Sequence, residues 1–316
     1  MAIVRYTASA DNTITNAFKE DLVTRGTGSN MGASDTLEVF GIYAQESTAS
    51  AELSRVLIKF PTTAISSDRT ADTIPDSGSV NFFLKMYNVA HAETLPIDYK
   101  LTVARITNDW QEGFGLDMDN YTDLTYNATG SNWVRANGTD AKATGKVTVL
   151  NEGYIETGDT ITLIATDGTT VVATATATTT TSTAATTAVQ FAHNGASPSA
   201  QATLIATAIN HSSFFSAAAV GADVNITQSA AGYGGNSTIT CGDGGGAGPW
   251  FSKTDFTGGS GEWATVGGDF VTASNSGMDF VDVSFSDGDE DIEVDITSIV
   301  EGWITTGNAN YGLMVK

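Results

Sequence analysis

Apolar and polar residues alternate in short runs through the first 140 residues. The segment YKLTVARIT has a period of two, which places Leu101 and Val103 on one side, and SRVLIKFP is an almost continuous apolar run ending at Pro61. A period of two indicates a half-buried strand, and an unbroken apolar run of this length is typical of a strand buried on both faces. This part of the chain therefore predicts a series of β-strands.

Near the end of the chain the hydrophobic pattern changes its period. DIEVDITSIVEGWITTG alternates at Ile292 and Val294, and the apolar residues from Ile296 to Trp303 then follow a helical spacing. Asp295 is predicted to cap this helix, because a carboxylate before the first turn accepts hydrogen bonds from its free N–H groups. We expect a strand, a short helix and a last strand, NYGLMVK.

The middle of the chain has a different composition and a different order of elements. DTITLIATDGTTVVATATAT predicts a β-hairpin in which Asp167 and Gly168 are the two turn residues. Ser197 and Pro198 are a cap and first-turn pair before the apolar stripe of TLIATAIN, which predicts a helix. Further strand patterns follow, so residues 141–257 are predicted to be a small α+β module inserted into a discontinuous domain of residues 1–140 and 258–316.

Composition agrees with a β-rich fold and excludes some partners. The 33 glycines, the five prolines and the 41% hydrophobic content indicate many strands and turns around a core. A net charge of −22 repels nucleic acid and anionic lipid, because proteins that bind them carry basic surfaces. The N-terminal residues lack the pattern of a secretory signal, and no apolar run is long enough to cross a bilayer. We expect synthesis in a cytoplasm and no membrane insertion.

Four segments carry a resemblance to a known family. ADNTITNAF, LSRVLIKFP, VARITNDWQEG and VDITSIVEGWITTGNANYGLMVK resemble the DNRLRE-type jelly-roll domain of bacterial and archaeal surface proteins and of phage structural proteins. In phage versions a stretch similar to SNWVRAN runs directly into one similar to WATVGGDF, and here the two are far apart. The intervening module is similar to a hairpin-helix-strand unit of phage virion proteins. The implied fold is mainly β, a jelly-roll β-sandwich with an inserted α+β module.

The resemblance implies a function without catalysis. It indicates a virion structural protein of a tailed phage, as a head decoration, a head fibre or a tail-associated component, located in the virion. The implied partners are other virion proteins of the capsid or tail, and we expect homo-oligomerisation, for example as a trimer, because exposed edge strands need covering. The alternative is a carbohydrate-binding module of a secreted or cell-surface protein.

The residues themselves suggest no catalytic or cofactor-binding site, and two loops that could hold a structural calcium ion: SDGDEDIEVD, and GLDMDNYTD with Asp117, Asp119, Asn120 and Asp123. The three histidines have no metal-ligand or triad spacing. SDGDEDIEVD offers Asp287, Asp289 and Asp291 as oxygen ligands for a structural calcium ion. The loop is not an EF-hand, because Ile292 occupies the position of the required glycine. The other interpretation of this loop is a solvated acidic turn.

Aromatic residues in loops are the remaining candidates for contact with a partner. Flat rings stack on the apolar faces of sugars and on partner side chains. The resemblance places most of the tryptophans at framework positions of the fold, which leaves the loop residues for surface contact, including contact with a host surface glycan. These predicted surface-contact residues are Tyr121, Tyr126, Tyr233 and Trp250.

Overall fold

The computed structural model describes residues 3–90, 96–116, 130–177, 187–245, 250–272 and 279–316. With 34% strand and 13% helix the fold is mainly β, as predicted. The strands of these residues are β1 (Ala10–Thr15), β2 (Gly41–Tyr43), β3 (Ala51–Lys59), β4 (Phe83–Met86), β5 (Tyr99–Arg105), β6 (Thr144–Val149), β7 (Thr160–Ile164), β8 (Thr170–Thr176), β9 (Ala188–Ala192), β10 (Phe215–Val220), β11 (Asp223–Gln228), β12 (Thr240–Gly242), β13 (Phe251–Thr257), β14 (Phe280–Phe285), β15 (Ile292–Asp295) and β16 (Leu313–Val315). The helices are α1 (Thr62–Thr70), α2 (Pro198–Ile209) and α3 (Thr297–Ile304).

The chain divides into two compact units. Unit 1 consists of Met1–Gly138 and Val266–Lys316, and unit 2 is the intervening Thr139–Thr265. The second boundary falls after Thr265, whereas the sequence placed it after residue 257. The reason is a backbone pairing within unit 2: Ala141 and Ser260 exchange two N–H···O bonds of 3.1 Å. The two ends of unit 2 are therefore adjacent to each other.

Unit 1 is built on one large antiparallel sheet. Its strand order is β1-β3-β16-β5-β14, and β2 also pairs with β3. β3 is the predicted strand with two buried faces: Val56, Leu57 and Ile58 are at most 3% exposed. Successive side chains of a strand point to opposite faces. Both faces of this sheet are therefore covered.

The first face of the large sheet packs against a smaller layer. Val103 and Leu313 of the sheet belong to one core with Leu84 of β4, Val294 of β15 and Trp303 of α3. β4 and β15 form a separate two-stranded sheet. Unit 1 is thus an unequal β-sandwich in which two strands and helical segments take the place of a full second sheet.

The second face is covered by loops that polar side chains hold in place. Asn12, which is fully buried, donates from Nδ2 to the Ser131 carbonyl at 2.9 Å. Arg55 lies over the rings of Trp133 and Phe270 and donates to the Gly267 carbonyl. The Gly267 N–H donates to the Trp133 carbonyl at 2.6 Å. The segments SNWVRAN and WATVGGDF, far apart in sequence, thus meet in unit 1 at Trp133 and Gly267.

Unit 2 contains two sheets and one helix. The sheets have the strand orders β10-β11-β6-β13 and β12-β7-β8-β9, and α2 packs against β9, β10 and β11. The predicted start of α2 is confirmed, since the Ser197 hydroxyl accepts from the Ala200 N–H at 3.2 Å and Pro198 is the first helical residue. The core is apolar and includes the fully buried Phe191 and Ile205. Unit 2 is therefore an α+β module with a core of its own.

Candidate functional site

Trp250 differs from the other tryptophans in its exposure. It is half-buried at the surface of unit 2, whereas the rest are between 5% and 7% exposed. Those buried tryptophans are Trp110, Trp133, Trp263 and Trp303. Since tryptophan at a surface combines a large apolar face with a polar N–H, it is well suited to contacts with a partner. Trp250 is the predicted surface residue on which the candidate site is built.

Tyr154 and Trp250 form a stacked pair of rings. Their centroids are 4.5 Å apart and their planes are inclined by 22°. Tyr154 is 56% exposed and the neighbouring Leu150 is 57% exposed. We call Leu150, Tyr154 and Trp250 the aromatic platform. It presents an exposed ring beside an exposed aliphatic side chain.

The backbone of unit 2 fixes the position of the platform. Leu150 follows β6, and its N–H donates to the Trp250 carbonyl at 2.8 Å directly before β13 begins. The Asn151 side chain accepts from the Gly153 N–H at 3.2 Å and so starts the 3-10 turn Glu152–Tyr154. Trp250 itself packs against the apolar core. Such a rigid surface loses little conformational entropy when a ligand binds.

The other predicted surface aromatics do not join the platform. Tyr233 is half-buried in the 3-10 turn Tyr233–Gly235, and its N–H donates to the Glu262 carbonyl at 2.9 Å. Tyr121 and Tyr126 lie outside the described residues. Sequence reasoning missed Tyr154 and Leu150. The signal for Tyr154 was its place in NEGYIETGD, a polar stretch where an aromatic residue has little core to enter.

The predicted calcium loop is closed by its own hydrogen bonds. The Glu290 carboxylate accepts from the backbone N–H groups of Asp287 at 3.0 Å, and of Ser286 and Gly288 at 2.7 Å each. These bonds favour the ionised carboxylate and lower the pKa of Glu290 to about 2. An Asp291 oxygen accepts from the Asn88 N–H at 2.8 Å. The loop is thus ordered by a carboxylate that the sequence did not single out.

Among the described residues, no three or more His, Cys, Asp or Glu side chains are grouped so as to hold a metal ion. Asp287, Asp289 and Asp291 are all exposed, and the Asp289 carbonyl accepts from the Asn88 side chain at 3.1 Å. Structural calcium at these three residues stays a prediction. The second candidate loop, with Asp117, Asp119, Asn120 and Asp123, lies outside the described residues.

The thiol of Cys241 and the imidazole of His193 lie in different surroundings. Burial raises the pKa of Cys241 to about 11, which keeps the thiol protonated at neutral pH and removes the nucleophilic thiolate. His193 contacts the Thr157 hydroxyl at 3.1 Å on the surface. His91 lies outside the described residues.

Within the described ranges, no helix has both the length and the apolar character needed to cross a membrane. No family model, curated protein or solved structure matches the chain.

Proposed function

We propose that the protein is a non-enzymatic structural component of a tailed-phage virion, as a head decoration, a head fibre or a tail-associated protein. The observation that carries the proposal is the insertion of a separately cored unit, with an exposed and rigid aromatic platform, into a β-sandwich. The two units then have different roles: unit 1 anchors the protein in an assembly, and unit 2 presents a contact surface.

The packing of unit 1 supports the role of an anchor. Asn30 is 1% exposed and donates to the carbonyls of Glu112 and Ser131 at 2.8 and 2.6 Å. Its Oδ1 accepts from the N–H groups of Gly32 and Gly115 at 3.1 and 3.0 Å. One side chain thus fixes three chain segments. Satisfied buried networks of this kind rigidify a fold and specify one arrangement of its loops.

The adjacent ends of unit 2 support its role as an insert, because such a unit can be added to unit 1 without disturbing the strands of unit 1. Ala141 and Ser260 pair their backbones, and the Ser260 hydroxyl donates to the Thr139 carbonyl at 2.8 Å. A module whose ends are adjacent can be inserted in a loop while the host strands keep their pairing. The arrangement suits a protein that acts through shape and surface contacts.

The charge of the chain supports a component of a dense assembly. Because each chain has a net charge of −22, neighbouring copies repel each other and other acidic surfaces unless specific contacts overcome the repulsion. Such charge disfavours non-specific aggregation. We propose that these specific contacts are homo-oligomeric, for example trimeric, and that they also involve capsid or tail proteins.

Light scattering on the purified full-length protein, with and without a calcium chelator, tests this proposal. We expect a stable oligomer, and a fall in mass on chelation would add structural calcium at Asp287, Asp289 and Asp291 to the interface. A monomer at all concentrations, with or without chelator, contradicts homo-oligomerisation. The same samples, applied to a panel of glycans, distinguish the second candidate function.

That second candidate is a carbohydrate-binding module, and the stacked pair of Tyr154 and Trp250 is the observation in its favour. An exposed ring held flat by a second ring is the surface on which a sugar stacks. If it is correct, the protein binds an oligosaccharide, Tyr154→Ala abolishes binding, and Tyr43→Ala does not. Tyr43 is the matched control, since it is 72% exposed in unit 1.

A further inference from the structure

The two-stranded sheet of unit 1 has one buried and one exposed face. Leu84 of β4 and Val294 of β15 point into the core, with exposures of 2% and 9%. Because side chains alternate along a strand, the neighbouring residues point outward. We call this outward set the β4–β15 outer face: its strand residues are Phe83, Lys85, Glu293 and Asp295, and it also includes the exposed Tyr87 directly after β4 and the exposed Asp291 directly before β15.

Two large aromatic side chains lie exposed on this face. Phe83 is 50% exposed and Tyr87 is 70% exposed. They are four residues apart along one strand direction, which separates them by about 13 Å at the rise of an extended chain. Exposed aromatic side chains on the same face of a sheet are typical of a surface that a partner covers.

Each aromatic residue has a carboxylate as its cross-strand neighbour. Phe83 pairs with Asp295 and Lys85 pairs with Glu293 in the register of the two strands. The paired residues end at Met86 and Ile292, and the same register continued by one step brings Tyr87 opposite Asp291, where the Asn88 N–H donates to the Asp291 carboxylate at 2.8 Å. Side chains directly opposite each other in an antiparallel pair have Cβ atoms about 5 Å apart. A group stacked on either ring is therefore within reach of a carboxylate.

Lys85 already occupies the middle of the face as a cation. Its Nζ lies 2.7 Å from a Glu293 carboxylate oxygen. Asp291 and Asp295 accept backbone N–H groups, from Asn88 and from Thr297, each at 2.8 Å. Those bonds orient the two carboxylates without neutralising them, and none of the ion pairs found among the described residues includes either one. The face therefore has two aromatic-carboxylate pairs on either side of a neutralised pair.

We propose that the β4–β15 outer face binds an extended, arginine-bearing segment of a partner protein, with one guanidinium on Phe83 and Asp295 and a second on Tyr87 and Asp291. Arginine is the side chain that fits, because its planar guanidinium stacks on an aromatic ring and pairs with a carboxylate at the same time. The separation of about 13 Å corresponds to residues i and i+4 of an extended segment. Residue i+2 then faces the Lys85–Glu293 pair and is uncharged.

Charge complementarity favours this occupant over a second copy of the chain. The outer face carries three carboxylates and Lys85, with Arg5 near that lysine, so it stays net negative within a chain of net charge −22, and two such faces repel each other. A cationic segment gains from the same field. The inference goes beyond the proposed function, and its test does not depend on whether the protein oligomerises.

The test uses two short peptides of identical composition in which the two arginines are the only charged groups. One peptide has its arginines at positions i and i+4, and the other has them at i and i+3. In an extended peptide the second spacing turns one arginine away from the face. We expect the i,i+4 peptide to bind the full-length protein several-fold more tightly at physiological ionic strength, measured by calorimetry with a calcium chelator present because Asp291 is also a predicted calcium ligand. Phe83→Ala and Tyr87→Ala should each weaken its binding by about two- to fivefold, the range expected for an exposed cation–π contact.

Tyr43→Ala is the matched control, because it removes an exposed tyrosine of unit 1 outside this face. The affinity of the Tyr43→Ala variant for each peptide should equal that of the unaltered protein. Two results would overturn the proposal: equal binding of the two peptides, or unchanged binding by the Phe83→Ala and Tyr87→Ala variants. Either would show that the peptides bind through non-specific attraction to an acidic protein. Binding of a neutral oligosaccharide that these two variants abolish would also overturn it, by assigning the face to glycans.

Discussion

The two units of this protein are stabilised in different ways. Of the fifteen buried polar or charged residues among the described ones, eleven lie in unit 1 and four in unit 2. The largest apolar cluster of unit 2 has 23 buried residues and that of unit 1 has 15, because further buried apolar residues of unit 1, such as Ile14, Trp133 and Met314, lie outside its main cluster. Unit 1 therefore combines a divided apolar core with specific hydrogen bonds that hold loops on a sheet, and unit 2 depends mainly on one continuous apolar core. The hydrogen bonds of unit 1 fix the arrangement of its loops, which suits an anchor. The continuous apolar core of unit 2 allows it to fold independently, which suits an insert.

The largest effect is expected from Phe191→Ala. Phe191 is fully buried in unit 2 and meets Phe251 edge to face at 6.5 Å. Removing the ring leaves a cavity and should cost unit 2 about 3–5 kcal/mol of unfolding free energy. Hydrogen exchange should then show lost protection in unit 2 alone. Equal loss of protection in unit 1 would contradict the separation of the two cores.

Asn30→Ala is the corresponding change in unit 1. It leaves the carbonyls of Glu112 and Ser131 and the N–H groups of Gly32 and Gly115 without their side-chain partner. We expect a loss of about 1–3 kcal/mol in the stability of unit 1, because buried polar groups without partners are costly. Denaturant unfolding followed by hydrogen exchange measures this loss. Protection in unit 2 should stay as it was, and its decrease would show that the network is not confined to unit 1.

A smaller effect, dependent on pH, is expected at the contact between α1 and α3. Arg69 donates to both oxygens of Glu301, at 2.6 and 2.9 Å, and this lowers the pKa of Glu301. The resulting stabilisation is fully present above the unfolded-state pKa of glutamate, about 4.3, and is lost as the pH falls through the lower folded-state value. Glu301→Gln should cost unit 1 about 1–2 kcal/mol at neutral pH.

The pH dependence separates this interaction from a packing effect. The difference in urea midpoint between Glu301→Gln and the unaltered protein should shrink as the pH falls below the folded-state pKa of Glu301. A difference that stays constant with pH would show that the ion pair contributes nothing specific.

The smallest change in stability is expected at the edge of a sheet in unit 2. Asn210 donates to the Ala217 carbonyl and accepts from the Ala217 N–H, both at 2.8 Å, and so covers part of the edge strand β10. Asn210→Ala should cost about 1 kcal/mol and increase self-association, because it exposes edge groups that can pair with another chain. Sedimentation velocity measures the association.

The control for the edge strand is Asn225→Ala. Asn225 is exposed on β11, which has strands on both sides. It should associate no more than the unaltered protein. Equal association of the two variants would mean that Asn210 does not protect the edge.

Elements with strong local signals were predictable from the sequence. β3 and α2 agree with their apolar patterns, and Ser197 caps α2 as expected. Asp295 bonds the Thr297 N–H at 2.8 Å, although α3 begins at Thr297, one residue later than a cap at Asp295 implies. The prediction of Asp295 as the cap of α3 was therefore wrong by one residue, since Ile296 occupies the cap position, whereas the predicted cap of α2 is confirmed.

Other features depend on contacts that no local pattern shows. The turn between β7 and β8 has three residues and not two: Ala165 bonds Thr169, and only Gly168 has positive φ. α1 was missed because Ile65 is its only buried residue, which leaves no apolar stripe. An asparagine in a sequence gives no sign of being buried, so the role of Asn30 could not be foreseen.

The same limit applies to the candidate site. Trp250 was predicted as a surface residue because it lies in a glycine-rich loop, but its partner Tyr154 is 96 positions away in sequence. The pairing of β6 with β13 brings them together. Long-range strand pairing creates the site, and a single sequence does not reveal it.

The central claim is that unit 1 makes the assembly contacts and unit 2 presents a contact surface. The mass in solution of a variant without unit 2 tests this claim most directly. In this variant a short Gly-Ser linker joins Gly138 to Val266, the two ends that bound unit 2. Light scattering should find the same number of subunits as in the full-length protein. A folded variant that is monomeric, while the full-length protein is oligomeric, would place the assembly contacts in unit 2 and contradict the account.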